Sequence, residues 1–270
     1  MKLLSNKMLL ILLILISGYG YMISCTRDND LIVPIQLTKP FVPSRGNNVH
    51  LPGNMTKGNP DEWKMDKAHS SVLWSTNYVG AAGLLTGRFN QFGMHDLTTD
   101  KMQSYVSTNG QVLKDSSWAF YENEPAKIYF NGYVQINTSN TGELGRDTGC
   151  NIGGMNTVKI RSGIQNLSDT NVAKIKTTKV EFDPNSNGYI VTLDLTWHNK
   201  WNTTPNPTPI EPITKSVVGK LTYVPKKPYS TYEVFGLQLK FAFNCRDFGI
   251  ASGSVSDNID IECNMNFKND

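Results

Sequence analysis

The sequence predicts an all-β domain built from antiparallel strands. From Glu62 onward, apolar and polar residues alternate with a period of two in segment after segment, and almost no helical period appears. Turn-forming residues separate the segments, and the run D-P-N-S-N-G over 183–188 is the strongest hairpin signal because Asn and Gly tolerate a positive φ. Each segment therefore has one face for water and one for an interior.

Strict alternation predicts six strands. Their apolar phases run through Val72–Tyr78, Ile128–Ile136, Tyr189–Trp197, Val217–Tyr223, Leu237–Cys245 and Ile259–Phe267. Weaker alternation adds strands near 85–93, 115–121 and 174–183, for a total of about eight or nine. Alternation is absent from Thr138 to Asp169, where we expect loops and one short helix, and the proline-rich stretch Asn202–Pro212 predicts a long irregular connection.

Two architectures satisfy this pattern. Amphipathic antiparallel strands either stack as two sheets or close into a barrel. An eight-stranded barrel has an interior that side chains fill or that holds one slender ligand. The alternation alone favours neither the barrel nor the sandwich.

The first 24 residues have the features of a secretory signal. Lys2 and Lys7 precede nine consecutive apolar residues, Met8–Ile16, and small and polar residues follow. A membrane-spanning helix needs about 20 apolar residues, so we interpret residues 1–24 as a leader that is removed. No later segment of the sequence approaches that length.

The residues at the end of this leader, Met22-Ile23-Ser24-Cys25, resemble a bacterial lipobox. The resemblance implies lipidation of the Cys25 thiol, cleavage before it and acylation of the new N-terminus. Three acyl chains exceed the two signals that stable anchoring requires, at about 0.8 kcal/mol per buried CH₂. The alternative is an ordinary signal peptide in which Cys25 is incidental.

Residues 25–60 predict a lipidated N-terminus followed by a flexible tether. Five of the 13 prolines lie in this segment, together with Asn and Gly and without a sustained period. A flexible coil of this length spans roughly 33 Å root-mean-square. We therefore expect three segments: a leader over 1–24, a tether over 25–60 and a folded β domain over 61–270.

Composition argues against disorder and against nucleic-acid binding. The chain is 39% hydrophobic and 18% charged, which is typical of a folded protein. Without Lys2 and Lys7, 24 basic side chains stand against 23 acidic ones. The domain lacks the basic excess that displaces phosphate counterions, so we predict no nucleic-acid partner.

The sequence also lacks the patterns of common catalytic and metal sites. It has no H-E-x-x-H, C-x-x-C or G-x-S-x-G motif and no phosphate-binding loop with Lys. The four histidines, His50, His69, His95 and His198, lie far apart in the sequence, and the acids fall mainly on polar strand faces. We predict a protein that is not an enzyme and that uses no metal or cofactor.

Several motifs together resemble the YceI-like family. The pattern W-x-x-D-x-x-H-S-S-V-x-W over 63–74 is followed by T-G-R-F-x-x-F over 86–92. An Arg-Asp pair lies at 146–147, and F-x-x-R-D-F-G-I spans 243–250. The order and spacing of these motifs extend over about residues 61–270.

The resemblance implies a lipocalin-like antiparallel eight-stranded β-barrel with one or two short helices. It also implies an exported protein that binds a polyisoprenoid or a similar long amphiphile inside the barrel. Tyr78 and Gly149 stand where the family often has histidines, so a head-group preference is not carried over. The connection Asn202–Pro212 is longer than the family leads us to expect.

A bound hydrocarbon chain needs an interior lined by large apolar side chains. Burial at about 25 cal/mol per Å² drives its binding, and polar groups are needed only at the mouth, where Tyr and Trp fit best. The candidate lining consists of Val72, Trp74, Tyr78, Phe89, Phe130, Ile136, Leu193, Leu195, Phe241 and Phe243. Alternatively, these side chains fill a solid core.

Charged residues of the family-like motifs are candidates for a rim around a pyrophosphate or quinone head. They are His69, Arg88, Arg146, Asp147, Arg246 and Asp247. Arg suits a phosphate through its bidentate fork. The alternative is that the Arg–Asp pairs tie loops to the end of the barrel.

Two cysteines, Cys245 and Cys263, fall on the apolar phases of two strands that we expect to be neighbours. In an oxidising compartment they form a disulfide if their Cα atoms lie within about 7 Å, and otherwise they are buried thiols. Cys150, in a glycine-rich loop, is left over as a free or surface-reactive thiol.

The sequence therefore predicts an exported protein that is lipid-anchored in the bacterial cell envelope, in the periplasm or at the cell surface. Its barrel holds a polyisoprenoid, isoprenoid quinone, prenyl lipid or fatty acyl chain for storage or transport. Its partners are this lipid and, through Cys25, a membrane, and a homodimer stays open. The alternative is a lipoprotein whose solid barrel is a structural or protein-interaction module.

Overall fold

The structure confirms the all-β fold. A computed structural model of the chain describes residues 48–50, 63–78, 83–94, 118–122, 124–149, 152, 171–198, 211–250 and 253–269. All of these belong to the unit Pro43–Asp270. Antiparallel strands make up nearly all of the secondary structure in this part of the chain.

Thirteen strands lie within the described residues. In chain order they are β1 (Asn48–His50), β2 (Lys64–Met65), β3 (Ser71–Asn77), β4 (Leu84–Phe89), β5 (Phe92–Gly93), β6 (Trp118–Tyr121), β7 (Tyr129–Gln135), β8 (Ser139–Asn140), β9 (Val172–Asp183), β10 (Gly188–His198), β11 (Ile213–Tyr229), β12 (Tyr232–Asn244) and β13 (Asn258–Lys268). The helices are α1 (Leu144–Gly149) and the 3-10 helices Lys67–His69, Pro125–Lys127, Ile136–Thr138 and Cys245–Phe248.

Eight of these strands form a curled wall. Their order is β7, β9, β10, β11, β12, β13, β3 and β4, and every neighbouring pair is antiparallel. The other short strands extend the wall, with β1 on β6, β6 on β7 and β2 on β13.

The two borders of the wall are joined by bent stretches of chain. β4 continues through Asn90 and Gln91 into β5, which pairs with β7, and β7 continues into β8, which pairs with β4. Between these pairs, the N–H of Asn90 donates to the carbonyl oxygen of Thr138 at 3.1 Å, and the N–H of Gln135 donates to that of Gln91 at 2.9 Å. The eight-stranded barrel that the resemblance implies is therefore confirmed.

All nine strands predicted from alternation are present, with two differences in detail. β11 continues to Tyr229, well beyond the predicted end at Tyr223. Its outer half is mostly exposed, so the sequence there does not alternate and the prediction ended too early. In β7 the alternation breaks where Gly132 and Tyr133 are both buried. β7 pairs with β9 along one edge and with β5 and β6 along the other, and its alternation breaks where it pairs with β5.

The expected short helix in 138–169 is α1. The carboxylate of Glu143 accepts hydrogen bonds from the backbone N–H groups of Gly145 and Arg146 at 2.9 and 2.7 Å, so it satisfies donors at the helix start. These bonds lower the pKa of the exposed Glu143 carboxyl. The rest of this stretch, apart from 138–149 and Ile152, lies outside the described residues.

One part of the predicted tether is a strand. Asn48–His50 form β1, which pairs with β6, and three residues are too few to show a period in the sequence. The leader 1–24, Cys25 and the rest of 25–60 lie outside the described residues, as does most of Asn202–Pro212. No helix in the described part of the chain is both long enough and apolar enough to cross a membrane.

One end of the barrel interior is filled by aromatic rings, which we call the aromatic plug. Its members are Trp63, Trp118, Phe120, Tyr189, Tyr223, Phe235 and Phe267. The Phe235 and Phe267 rings stack with centroids 4.7 Å apart, and Trp118 lies 4.6 Å from Phe267. Offset ring pairs of this kind add to the stabilisation that burial provides.

Candidate ligand-binding cavity

An apolar cavity lies in the barrel interior beside the aromatic plug. The empty volume between the surrounding atoms is about 630 Å³, which includes space open to solvent. The volume that the centre of a water molecule can occupy is about 60 Å³. One water needs about 10–15 Å³ by this second measure. The cavity is therefore a narrow channel that is partly open.

The inward faces of neighbouring strands build the cavity wall. On β13 the wall runs from Ile261 to Met265, and on β12 it runs from Leu239 to Phe243. These residues are buried, and the residues between them point outward or are partly exposed. Four residue steps at about 3.3 Å give the cavity a length of roughly 13 Å along these strands.

Six of the ten predicted lining residues lie on this wall. They are Val72, Phe89, Phe130, Leu195, Phe241 and Phe243. Contact between these side chains and a ligand stays a prediction.

Four predicted lining residues do not lie on this wall. Leu193 and Ile136 are fully buried in packed core, and Trp74 is buried with its Nε1 donating to Ser139 Oγ at 2.7 Å. Tyr78 is 38% exposed, because it follows the last residue of β3. Alternation identifies the inward face of a strand, but it does not say how deep along the barrel a residue lies.

The other wall residues were not predicted. They are Met65, Phe92, Gly93, Met94, Gly132, Tyr133, Val134, Ala173, Ile175, Trp197, Leu239, Ile261, Cys263 and Met265. A signal existed for Trp197 and Ile261, which are on the inward phases of predicted strands. Val134 also falls on the apolar phase of a predicted strand, but no signal existed for Met94 or Tyr133, where the joined borders of the barrel interrupt the alternation.

Three methionines give the wall freedom to adapt. Met65, Met94 and Met265 have unbranched side chains with a polarisable sulfur, and such side chains fill irregular gaps and rearrange at low cost. Rearrangement of these side chains would widen the channel without a change in the strands.

Besides Tyr133, two side chains on the wall carry polar groups in an otherwise apolar surface. Burial, assisted by the charge of Glu262, raises the pKa of the Cys263 thiol to about 12, so this thiol is neutral at physiological pH. The Nε1 of Trp197 is buried and has no hydrogen-bond partner in the described part of the chain. No charged residue is among the described residues that line the cavity.

The predicted rim residue Arg246 is engaged in holding a loop. Its Nε donates to Asp257 Oδ1 at 2.9 Å, and its Nη1 and Nη2 donate to the carbonyl oxygens of Ile250 and Val255 at 2.7 and 2.8 Å. This agrees with the loop-tying alternative, but the acidic partner is Asp257 and not the adjacent Asp247, which is exposed.

The predicted rim residues do not converge on one mouth. His69 Nδ1 lies 2.7 Å from Asp66 Oδ2, and the carbonyl of His69 accepts from Asn266, at the opposite end of β13 from Asp257. Nine residue steps separate Asn266 from Asp257, which is roughly 30 Å in an extended strand. Arg246 and His69 therefore cannot hold the same head group.

The other three rim candidates also have local environments. Asp147 Oδ1 accepts hydrogen bonds from the N–H and the hydroxyl of Thr141 at 2.9 and 2.8 Å. Arg146 is exposed on α1 with its Nε 3.7 Å from Glu143. Arg88 is exposed and lines a wide, open hollow that Lys240 also borders.

The structure contradicts the disulfide and shows two free, buried thiols. β12 and β13 are neighbours, as expected, but Cys263 pairs with Leu239, which lies six residues before Cys245. Six residue steps correspond to roughly 20 Å, far beyond the Cα separation of about 7 Å that a disulfide spans. Cys150 and His95 lie outside the described residues.

Across the described ranges, no three His, Cys, Asp or Glu side chains come together in an arrangement that holds a metal ion.

An eight-stranded antiparallel barrel around an apolar cavity is a lipocalin-like architecture. The chain belongs to the YceI-like domain family, whose family model matches residues 63–267. No curated protein sequence matches the chain.

Several solved structures are similar to this chain at low identity. BcnA of Burkholderia cenocepacia is 14% identical, with a TM-score of 0.43, over 75% of this chain and 99% of that chain. A Campylobacter jejuni YCEI protein is 16% identical, with a TM-score of 0.40, over 76% and 96%. A polyisoprenoid binding domain from Saccharophagus degradans implicated in plant cell wall breakdown is 11% identical, with a TM-score of 0.35, over 77% and 98%. Family membership rests on the family model and not on these structures.

Proposed function

We propose that the protein binds a polyisoprenoid or a similar long amphiphile in the barrel cavity. The observation that carries this proposal is the cavity itself, because its described wall is apolar and contains no charged side chain. Removing a hydrocarbon chain from water at about 25 cal/mol per Å² is sufficient to drive binding without a hydrogen bond along its length. Membership in the YceI-like family supports a binding role over a catalytic one.

The size of the cavity limits how the ligand is held. A channel roughly 13 Å long covers part of a long chain, so the rest of the ligand extends through the open side. Movement of Met65, Met94 or Met265 would lengthen or widen the channel. The role that fits this arrangement is storage or transport of one lipid molecule at a time.

Membrane anchoring is the second part of the proposal. We propose that the leader over 1–24 exports the chain and that Cys25 carries the acyl chains that hold it to a membrane of the bacterial cell envelope. The lipobox-like residues Met22-Ile23-Ser24-Cys25 support this.

Filling the cavity tests the binding proposal. Ala173 is a small buried residue on the wall, so Ala173→Leu places three further carbon atoms in the channel. Mass spectrometry of an organic extract of the native protein should show a stoichiometric prenyl or acyl lipid. The variant should lose at least about 90% of it and keep its free energy of unfolding within about 1.5 kcal/mol.

Leu221→Ala is the matched control. Leu221 is fully buried but does not lie on the cavity wall. The truncation should lower the free energy of unfolding by about 2–5 kcal/mol and leave the extracted lipid unchanged. A wild-type extract without lipid, together with no binding of apolar probes, supports the solid-barrel alternative.

A further inference from the structure

One side chain that lines the cavity contains a buried polar group without a partner among the described residues. The side chain of Trp197 is 3% exposed, and its Nε1 forms no hydrogen bond within the described part of the chain. Buried donors are paired in the great majority of cases in native proteins, because an unpaired one keeps its full desolvation penalty. The Nε1 of Trp197 therefore needs an explanation.

Neighbouring groups hold this indole in place. Trp197 lies near the end of β10, where its backbone pairs with Ala173 of β9 and Ile213 of β11. The rings of Phe243 and Phe248 lie 5.5 and 6.4 Å from it, and these two rings also contact each other. Aromatic packing on this side opposes rotation of the indole toward an acceptor elsewhere.

We propose that Trp197 recognises the ligand: its Nε1 donates a hydrogen bond to an uncharged oxygen of the bound amphiphile. The inference rests on the proposed function and adds the chemical class of the ligand. The oxygen belongs to a ketone, quinone, ester or alcohol group that lies inside the cavity and not at its mouth. It gives the indole N–H the partner that the described part of the chain does not provide.

The same wall disfavours two other kinds of ligand. A saturated hydrocarbon leaves the Nε1 donor unpaired, and sites built around a buried donor reject analogues that lack the acceptor. An ionised carboxylate or phosphate meets no opposite charge on the described wall, so its desolvation is uncompensated there.

Three probes of equal carbon number test the proposal on the intact protein. They are a long-chain alkane, the corresponding methyl ketone and the corresponding carboxylate, each competing with the neutral fluorophore diphenylhexatriene. We expect wild-type protein to bind the ketone at least about fivefold more tightly than either of the other two. Trp197→Phe removes the N–H and keeps an aromatic ring, so the ketone-to-alkane ratio should fall to about one.

Trp118→Phe is the matched control. The Nε1 of Trp118 is also buried and has no partner within the described ranges, but this residue belongs to the aromatic plug and does not line the cavity. Its replacement should leave the ketone-to-alkane ratio unchanged. An equal loss of discrimination in both variants overturns the assignment to Trp197.

The indole N–H resonance of Trp197 provides a readout that does not depend on the stability of a variant. It should move downfield with the ketone and not with the alkane. A resonance that the ketone leaves unmoved, or equal affinities for ketone and alkane, overturns the recognition role and leaves the proposed function intact. Failure of all three probes to bind overturns the proposed function itself.

Discussion

The guanidinium of Arg246 forms its hydrogen bonds with neighbouring groups of the protein. It donates to one carboxylate and two carbonyl oxygens, so it fixes the segment after β12 and is not available to a head group. The sequence shows the charge and the adjacent Asp247, but it does not show that the chain folds back to present Asp257. The rim predictions were limited for this reason.

The cysteine positions also show that the sequence does not reveal which distant residues meet. Both Cys245 and Cys263 are buried, as the alternation predicts, but only Cys263 lies in a strand, because β12 ends at Asn244 and Cys245 begins a 3-10 helix. Whether two such residues meet depends on the register between β12 and β13, which the hydrophobic pattern of either strand alone does not determine.

The buried thiol of Cys263 predicts a fall in stability at alkaline pH. Its pKa is raised to about 12 in the folded protein, whereas a thiol in the unfolded chain titrates near 8.5. Above about pH 8.5 the unfolded chain loses this proton and the folded protein keeps it, so stability falls by about 1.4 kcal/mol per pH unit. Below that pH, both states carry the proton and the effect is absent.

Urea unfolding of wild type and Cys263→Ala at about pH 8 and pH 10 measures this effect. The wild type should lose about 2 kcal/mol more than the variant between the two conditions. Because Cys245 and the tyrosines are present in both proteins, their contributions cancel. Parallel pH dependences in the two proteins would contradict the prediction.

At the scale of elements, the alternation located every long strand because each has one face in the barrel core. It missed β1, β2 and β8, which have two or three residues each, it did not separate β5 from β4, and it missed the outer half of β11. This outer half is exposed on both faces, so no hydrophobic period marks it. Segments without a buried face leave no pattern in the sequence.

The turn of the β11–β12 hairpin predicts a stabilising substitution. Tyr229 pairs with Tyr232, so Ser230 and Thr231 form a two-residue loop, and Ser230 has a φ of 56°. A positive φ at the first loop position favours glycine. Ser230→Gly removes the steric cost of the left-handed conformation and adds some unfolded-state entropy, for a net gain of about 0.5 kcal/mol.

Thr231→Gly is the matched control for this turn. Thr231 is not in the left-handed region, so glycine brings only the entropic cost there and should lower the free energy of unfolding by about 0.5–1 kcal/mol. Thermal and urea unfolding of the two variants give the sign of each effect. The same sign for both would refute the role of the φ angle.

At the scale of the whole molecule, the barrel interior is divided into the aromatic plug and the cavity. The sequence did not predict this division. Predicted lining residues such as Leu193 and Leu195 share one strand face, yet only Leu195 lies on the cavity wall. Whether a barrel is hollow depends on the summed volume of side chains from all its strands. Each strand pattern describes only its own contribution.

Membrane anchoring through Cys25, as proposed, predicts how the intact protein distributes between the membrane and soluble fractions. Wild-type protein should sediment with membranes and yield an N-terminal peptide that starts at Cys25 with attached acyl chains. Cys25→Ser removes the thiol that accepts the lipid, so this variant should move to the soluble fraction. A mature wild-type protein that contains an unmodified Cys25 would instead support the ordinary signal peptide.

The joined borders of the barrel have a consequence for association between copies of the protein. Open sheet edges offer unpaired N–H and C=O groups to other chains, and such edges start aggregation and domain swapping. Here the β4–β5 and β7–β8 stretches satisfy one another along the line where the wall meets itself. Along this line the two stretches therefore present fewer unpaired N–H and C=O groups with which a second copy could form a strand pair.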